Sequence, residues 1–200
     1  MNNDKSILKI ENLYFSNFGY KRNNIRGKVF GKKFNLDLGN NFRSIKFKLF
    51  NSGVKAELFF DEVQNRNKKA GTFKSKVLNT NLKFNFLYDD KKLKIFNSFY
   101  RSKNLSFNNE SLIDFAPYLY VKTNFEIEKL DLKILEKIDL IKIIKYRESI
   151  KKINSTNIIS YKPKKFTKSF IDDLNLHIDL AYGTLNYKKK FLIAENIFNC

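Results

Sequence analysis

Apolar residues occupy every second position of this chain, in short runs that recur along most of its length. The segment KKFNLDL shows the pattern with Phe34, Leu36 and Leu38. Successive side chains of a β-strand point to opposite faces, so this alternation predicts strands with one apolar and one polar face. The chain is therefore predicted to be all-β and mainly antiparallel, with a sheet that has one apolar side.

The runs are separated by residues that favour turns. Gly39-Asn40-Asn41 and Asn51-Ser52-Gly53 suit turns because Gly and Asn tolerate positive φ, and Asp89-Asp90-Lys91-Lys92 reads as a hairpin connection. Residues 62–70 are predicted to be a polar loop. The predicted strands are 7–15, 25–30, 33–38, 43–50, 54–61, 71–78, 82–88, 93–99, a short one at 105–107, 117–127, 157–161, 173–182, 184–188 and 191–199.

The apolar period changes after residue 129. Leu130, Ile134, Ile138 and Ile141 follow helical spacing, which predicts one amphipathic helix near 130–153. Asp131 is a suitable residue to cap its start, and Asn154-Ser155 to end it. Such a helix either packs its apolar stripe on the sheet or lies on a membrane surface.

The predicted organisation has three parts. Residues 1–128 form an antiparallel β-meander, 129–156 a helical insertion, and 157–200 further strands of the same sheet. An α/β fold is excluded, because parallel strands need a crossover connection for each pair. A sandwich, a barrel and an elongated meander remain. A sandwich closes its apolar faces on each other, whereas a meander curled into a groove leaves its apolar face open.

The formal net charge is +19, which is typical of proteins that bind nucleic acid or anionic membranes. However, the basic residues are mostly Lys rather than Arg, the residue suited to bidentate phosphate and base contacts. The lysines also alternate with apolar residues, so we interpret them as the polar face of the strands. Contact with anionic lipid headgroups is left open as an alternative, as is a nucleic-acid site.

The sequence holds little that predicts chemistry. His177 is the only histidine and falls on a polar-face position, so neither a metal site nor a Ser-His triad is expected. Asp89-Asp90 and Asp172-Asp173 are sequence neighbours, and neighbouring side chains of a strand point apart, so both pairs are interpreted as turns. Cys200 is the single thiol and cannot form an internal disulfide. We predict a protein that is not an enzyme, without metal or cofactor.

No apolar stretch is long enough for a transmembrane helix, and the first residues lack the features of a signal peptide. The last residues, LIAENIFNC, end within a predicted strand. The chain is therefore expected to be a piece of a longer protein, in which a membrane anchor would lie outside this sequence.

The order of segments resembles a known family. LKIENLYFSNFGY, IRGKVFGKKFNLDL, IKFKLFNSGVKAEL, AGTFKSKVLNTNLKFNFLYDDKKLKIF and PYLYVKTNFEI follow one another, with Gly near strand starts and recurring hairpins. This order is similar to the C-terminal repeat regions of the AsmA-like proteins of Gram-negative bacteria. The resemblance covers most of the chain and depends on Gly positions and strand periodicity rather than on a catalytic signature.

The resemblance implies an envelope protein that carries phospholipid between the inner and outer membranes and supports outer-membrane biogenesis. It implies a periplasmic location with a tether to the inner membrane, phospholipid acyl chains as the ligand, unidentified envelope partners and no nucleic acid. The competing interpretation is a closed β-sandwich with a structural or assembly role and no ligand. The residues expected to line the groove are Phe34, Leu36, Leu38, Ile45, Phe47, Leu49, Leu82, Phe84, Phe86, Leu93, Ile95, Leu174, Leu176, Ile178 and Leu180.

Overall fold

The computed structural model describes residues 7–14, 22–39, 42–62, 67–131, 133, 153–163, 173–193 and 196–199. These residues form strands joined by short turns. The strands are β1 (Leu8–Tyr14), β2 (Arg22–Val29), β3 (Lys32–Gly39), β4 (Ser44–Leu49), β5 (Val54–Phe60), β6 (Lys68–Val77), β7 (Thr80–Asp89), β8 (Lys92–Arg101), β9 (Leu105–Asp114), β10 (Tyr120–Leu130), β11 (Asn154–Tyr161), β12 (Asp173–Ala181), β13 (Thr184–Ile193) and β14 (Asn196–Asn199).

The strands make one open sheet of 14 strands whose spatial order is the chain order from β1 to β14. Neighbouring strands are antiparallel throughout, except that β10 and β11 are parallel. The predicted all-β, mainly antiparallel meander is thus confirmed. The parallel pair was not predicted, and it explains why a longer segment joins β10 to β11, since a hairpin cannot link parallel strands.

Several predicted boundaries were wrong. The polar loop ends earlier than expected, because β6 begins at Lys68. The short strand at 105–107 is a ten-residue strand, β9, whose polar residues hide the alternation. The bounds predicted for the helical insertion, 129–156, were too wide, since 129–130 belong to β10 and 154–156 to β11. Asp131 Oδ1 accepts a hydrogen bond from Lys133 N at 3.1 Å, and most of the predicted helix lies outside the described residues.

The pairing register assigns each strand residue to one of two faces, because directly opposed residues share a face and successive residues alternate. The apolar face is the one that carries Phe34, with Gly27 and Leu49 opposite it. The polar face is the other, which carries Asn35 with Arg26 and Lys48 opposite it.

The described strands form a single layer. Each strand contacts its neighbours in the sheet, and no two strands pack face to face in the described part of the chain. Phe34 and Tyr161, at 7% and 8% exposed, are the only buried hydrophobic side chains there, and no described side chain is fully buried. A sandwich would bury the inner residues of both sheets. The described strands therefore form one open sheet and not the closed sandwich considered as an alternative.

A half-buried polar network connects β8, β9 and β10 near the turn between β8 and β9. Arg101 donates to the carbonyl of Phe107 at 2.6 Å, to Asn108 Oδ1 at 2.7 Å and to Glu128 Oε1 at 3.1 Å. Asn108 Nδ2 also donates to Glu128 Oε1, at 3.2 Å. Glu128 sits where the β9–β10 register shifts, so the network holds the bulge in place.

Replacing Arg101 with Gln should lower the free energy of unfolding by about 2 kcal/mol, because a charged donor to several acceptors is lost. Arg43→Gln is the matched control, since Arg43 pairs with Glu62 at an exposed site and such pairs contribute about 0–1 kcal/mol. Urea unfolding of the two variants measures the difference. Equal losses in both would show that the network does not stabilise the bulge.

Candidate functional site

All of the predicted groove residues lie on the apolar face. On β3 and β4 the register places Leu36 opposite Phe47 and Leu38 opposite Ile45. The other predicted residues follow from the same pairing. They are Phe34 and Leu49 on β3 and β4, Leu82, Phe84 and Phe86 on β7, Leu93 and Ile95 on β8, and Leu174, Leu176, Ile178 and Leu180 on β12.

Aromatic rings contact one another along this face. The ring centroids of Phe34 and Phe47 are 5.9 Å apart, and those of Phe73 and Phe84 are 5.0 Å apart. Further along, Phe107 contacts Tyr100 at 5.1 Å and Phe125 at 5.4 Å. These separations are those of favourable aromatic pairs. The side chains of this face therefore pack against one another within the sheet, and no described residue packs above them.

The sequence analysis missed several residues of the apolar face. Phe73, Tyr100, Phe107, Phe125 and Ile159 share it with the predicted set. Phe125 and Phe73 were within predicted strands, and their alternation could have identified them. Phe107 was harder to find, because the strand that carries it continues as NNES rather than with apolar residues.

Glycine allows two strands to bring their aromatic rings together on the apolar face. Gly71 on β6 stands between Phe60 and Phe86, whose rings meet edge to face at 5.9 Å. A Cβ atom at Gly71 would lie 2.0 Å from the carbonyl oxygen of Phe59 and 2.9 Å from Phe86 Cζ. The absence of a side chain is therefore required at this position, and the two rings fill the space above it.

A polar cluster interrupts the apolar face between β8 and β11. Thr123 Oγ1 donates to Asn157 Oδ1 at 2.7 Å, and Asn157 Nδ2 donates to Ser155 Oγ at 2.9 Å. Ser111 Oγ donates to Asn109 Oδ1 at 2.9 Å. These groups satisfy one another within the sheet. Beside the cluster, the apolar face continues across β9–β11 through Phe107, Phe125 and Ile159 to β12.

The polar face carries most of the described lysines, as predicted. Lys48, Lys55 and Lys76 stand directly opposite one another on three adjacent strands, an arrangement in which like charges repel. Some basic side chains lie over aromatic rings on this face, with Lys46 and Lys74 at 5.7 Å and 5.9 Å from the centroid of Phe59. These contacts shelter part of each lysine stem and leave the ammonium groups at the surface.

Titratable groups do not converge on a catalytic arrangement in the described strands. His177 lies on the polar face, as predicted, with its Nε2 atom 3.0 Å from Asp179 Oδ2. The hydroxyl of Thr156, and after it His177, hold the pKa of Asp179 below its ordinary value. Asp90 lies in the predicted turn, whereas Asp89 is the last residue of β7, and Asp89 Oδ1 accepts a hydrogen bond from the backbone nitrogen of Lys92 at 3.1 Å.

The described residues contain no group of His, Cys, Asp and Glu side chains that could hold a metal ion. None of their segments forms a helix with the length and apolar character needed to cross a membrane.

The apolar face is therefore suited to an apolar ligand that is held by burial rather than by directional polar contacts. From Leu82 to Tyr88 the apolar row of β7 spans about 20 Å, at roughly 3.3 Å per residue. One acyl chain spans about 15 Å, half of a hydrocarbon core about 30 Å thick. A chain of that length fits along one strand of the apolar face.

Comparison with known proteins adds no relative: no family model, curated protein or solved structure matches the chain. The resemblance to AsmA-like proteins stays a prediction based on the sequence pattern.

Proposed function

We propose that this chain is part of a non-enzymatic, AsmA-like envelope protein whose apolar sheet face shelters phospholipid acyl chains and supports their transfer between membranes. The observation that carries the proposal is the open apolar face, on which every predicted groove residue lies and above which no described residue packs. The side chains of this face are mostly half-buried by their neighbours within the sheet. A contiguous apolar surface without a second layer over it is typical of proteins that contact ligands, partners or membranes.

The physical argument favours a sliding ligand. Each CH₂ group taken from water contributes about 0.8 kcal/mol, so one acyl chain gains on the order of 10 kcal/mol before entropy is counted. Contacts with Leu, Ile and Phe side chains are not directional, and they permit movement from strand to strand. In this proposal the sheet curls into a groove, with the acyl chains along the apolar face from β3 to β12.

The remaining parts of the proposal follow from the family resemblance. They are a periplasmic location, a tether to the inner membrane outside this chain, and a role in outer-membrane biogenesis. The amphipathic helix predicted near 130–153 would be an insertion that interrupts or caps the groove.

Photo-crosslinking tests the placement of the acyl chain. A phospholipid with a photoreactive group in its acyl tail should label Leu82, Phe84 and Phe86 of β7, on the apolar face. Lys83 and Asn85 of the same strand serve as internal controls, because they lie on the polar face. Labelling of the controls as strongly as of the apolar residues, or no labelling of β7, would overturn the assignment of the face.

A further inference from the structure

Three hairpin turns at the same end of their strands expose large apolar side chains. We call each of the two rows of turns an edge of the sheet. The three turns join β2 to β3, β4 to β5 and β6 to β7, and in an antiparallel meander alternate turns lie at the same edge. Phe30 is 78% exposed, Leu78 is 66% exposed and Phe50 is 41% exposed. We name residues 28–33, 48–55 and 76–81 the basic turn edge.

At the tips of two of these turns, the exposed apolar residue has a backbone conformation that its side chain disfavours. Phe30 has φ 47° and Leu78 has φ 54°, in the left-handed region that favours Gly or Asn. The chain thus places bulky apolar side chains where they are both strained and exposed to water. Features that reduce stability in two ways at once point to a function.

The adjoining turns are in contact, so the tips form one surface. Leu78 N donates to the carbonyl of Gly53 at 3.1 Å, and a Cβ atom on Gly53 would lie 3.2 Å from Leu78 Cδ2. Phe50 N donates to the carbonyl of Lys33 at 2.9 Å. Successive turns are two strands apart, which corresponds to about 10 Å.

Lysines surround the tips, and no Asp or Glu lies within the basic turn edge. Lys28 forms an ion pair with Glu11 of β1 at 3.0 Å. The others are exposed, and no ion pair is seen for them among the described residues. They are Lys32, Lys33, Lys48, Lys55 and Lys76.

The opposite edge also exposes apolar side chains, among them Phe42 at 46% with φ 65° and Tyr118 at 77%, but it differs in carrying acidic residues. There the ends of β5 and β7 and the turns that follow them carry Asp61, Glu62, Asp89 and Asp90. Tyr182, in the turn between β12 and β13, is an apolar tip at this edge, 90% exposed and with φ 52°. It therefore repeats the strained, exposed tip without the surrounding lysines.

We infer that the basic turn edge docks onto an anionic lipid bilayer, with Phe30, Phe50 and Leu78 inserted at the headgroup boundary and the lysines against lipid phosphates. Apolar side chains at the tips with cationic side chains around them match the chemistry of that boundary. A soluble polyanion would use the lysines and leave the apolar tips in water. The inference does not depend on acyl chains binding the apolar face.

Vesicle co-sedimentation of the whole chain tests the inference, with phosphatidylcholine vesicles that contain or lack phosphatidylglycerol. We expect binding to the anionic vesicles that weakens as salt is raised. The double variant Phe30→Asn, Leu78→Asn should bind about tenfold or more weakly, since each tip loses apolar burial. Its thermal stability should be unchanged or higher, because Asn accepts the left-handed conformation.

Two sets of control variants separate membrane docking through the basic turn edge from other causes of weaker vesicle binding. Tyr182→Asn makes the same change at the opposite edge and should bind vesicles as the unmodified chain does. Lys48→Gln, Lys55→Gln and Lys76→Gln should each weaken binding about fivefold. Lipid retained from purification should be unchanged in the tip variant, so failure of this inference is distinguishable from failure of the proposed function.

The inference is overturned by unchanged vesicle binding in the tip variant, by an equal loss in Tyr182→Asn, or by equal binding to neutral vesicles. It is also overturned if the chain binds a soluble polyphosphate as tightly as anionic vesicles and without need of Phe30 and Leu78. A tip variant that changes only self-association, measured by analytical ultracentrifugation, would assign the edge to contact between copies instead.

Discussion

Replacing Phe84 with Asp is expected to remove most of the phospholipid that the purified chain retains. Phe84 lies on the apolar face with its ring 5.0 Å from that of Phe73, so a carboxylate there places charge where an acyl chain would lie. Asn85→Asp is the matched control, because it adds the same charge one residue along the same strand, on the polar face. Lipid extraction and phosphate assay of equal amounts of protein measure the difference.

Loss of the ring contact also lowers the stability of the Phe84→Asp variant, by about 3 kcal/mol. A second pair of variants therefore keeps the test independent of folding. Leu176→Lys introduces charge on the apolar face of β12, and Asn175→Lys introduces it on the polar face beside it. If folded Phe84→Asp and Leu176→Lys proteins retain as much lipid as their controls, the apolar face is not the binding surface.

Substituting Gly71 with Ala is expected to give a large loss of stability for the addition of a single methyl group. Because the new Cβ would lie 2.0 Å from a backbone oxygen, β5 and β6 must move apart, and the contact between Phe60 and Phe86 is disturbed. We expect the free energy of unfolding to fall by about 3 kcal/mol, as for an overpacked site. The melting temperature should fall by about 10 °C.

Gly31→Ala is the control for the Gly71 variant. A Cβ at Gly31 would meet nothing within 4 Å, and only its positive φ of 75° opposes the substitution. That strain costs about 1 kcal/mol. Thermal and urea unfolding of both variants would contradict the account if Gly31→Ala were the more destabilised of the two.

The apolar face could be predicted from sequence because alternation reports directly on side-chain direction. Wherever the pattern was clear, as at Phe34–Leu38 and Leu174–Leu180, both the strand and its apolar residues were found. The pattern failed at β9, where Asn109 and Ser111 stand on the apolar face in place of hydrophobic residues. Their hydrogen-bonding partners come from the same strand or from neighbouring strands, and the sequence does not show such contacts.

Other features depend on contacts between distant residues and left no local signal. The parallel pairing of β10 and β11 is one, since each strand has the same alternation in either direction. The bulge in β8 is another. Asn97 adopts φ 48° there, and the register shifts against both β7 and β9. An extra residue on one strand is seen only when its partners are known.

The choice between an open and a closed sheet was also beyond the sequence. Leu36 and Phe47 would alternate with polar neighbours in an open sheet and in a closed sandwich alike. In each arrangement a strand has one apolar and one polar face. Only the strand order and the absence of a second layer over the described strands separate the two.

Native mass spectrometry of the purified chain tests the central claim most directly. The account predicts that the folded protein carries bound phospholipid, that the added mass corresponds to whole lipid molecules, and that lipid is lost from Phe84→Asp but not from Asn85→Asp. A folded chain that carries no lipid and takes none up when phospholipid is supplied would contradict the account. The apolar face would then belong to a contact with another protein surface.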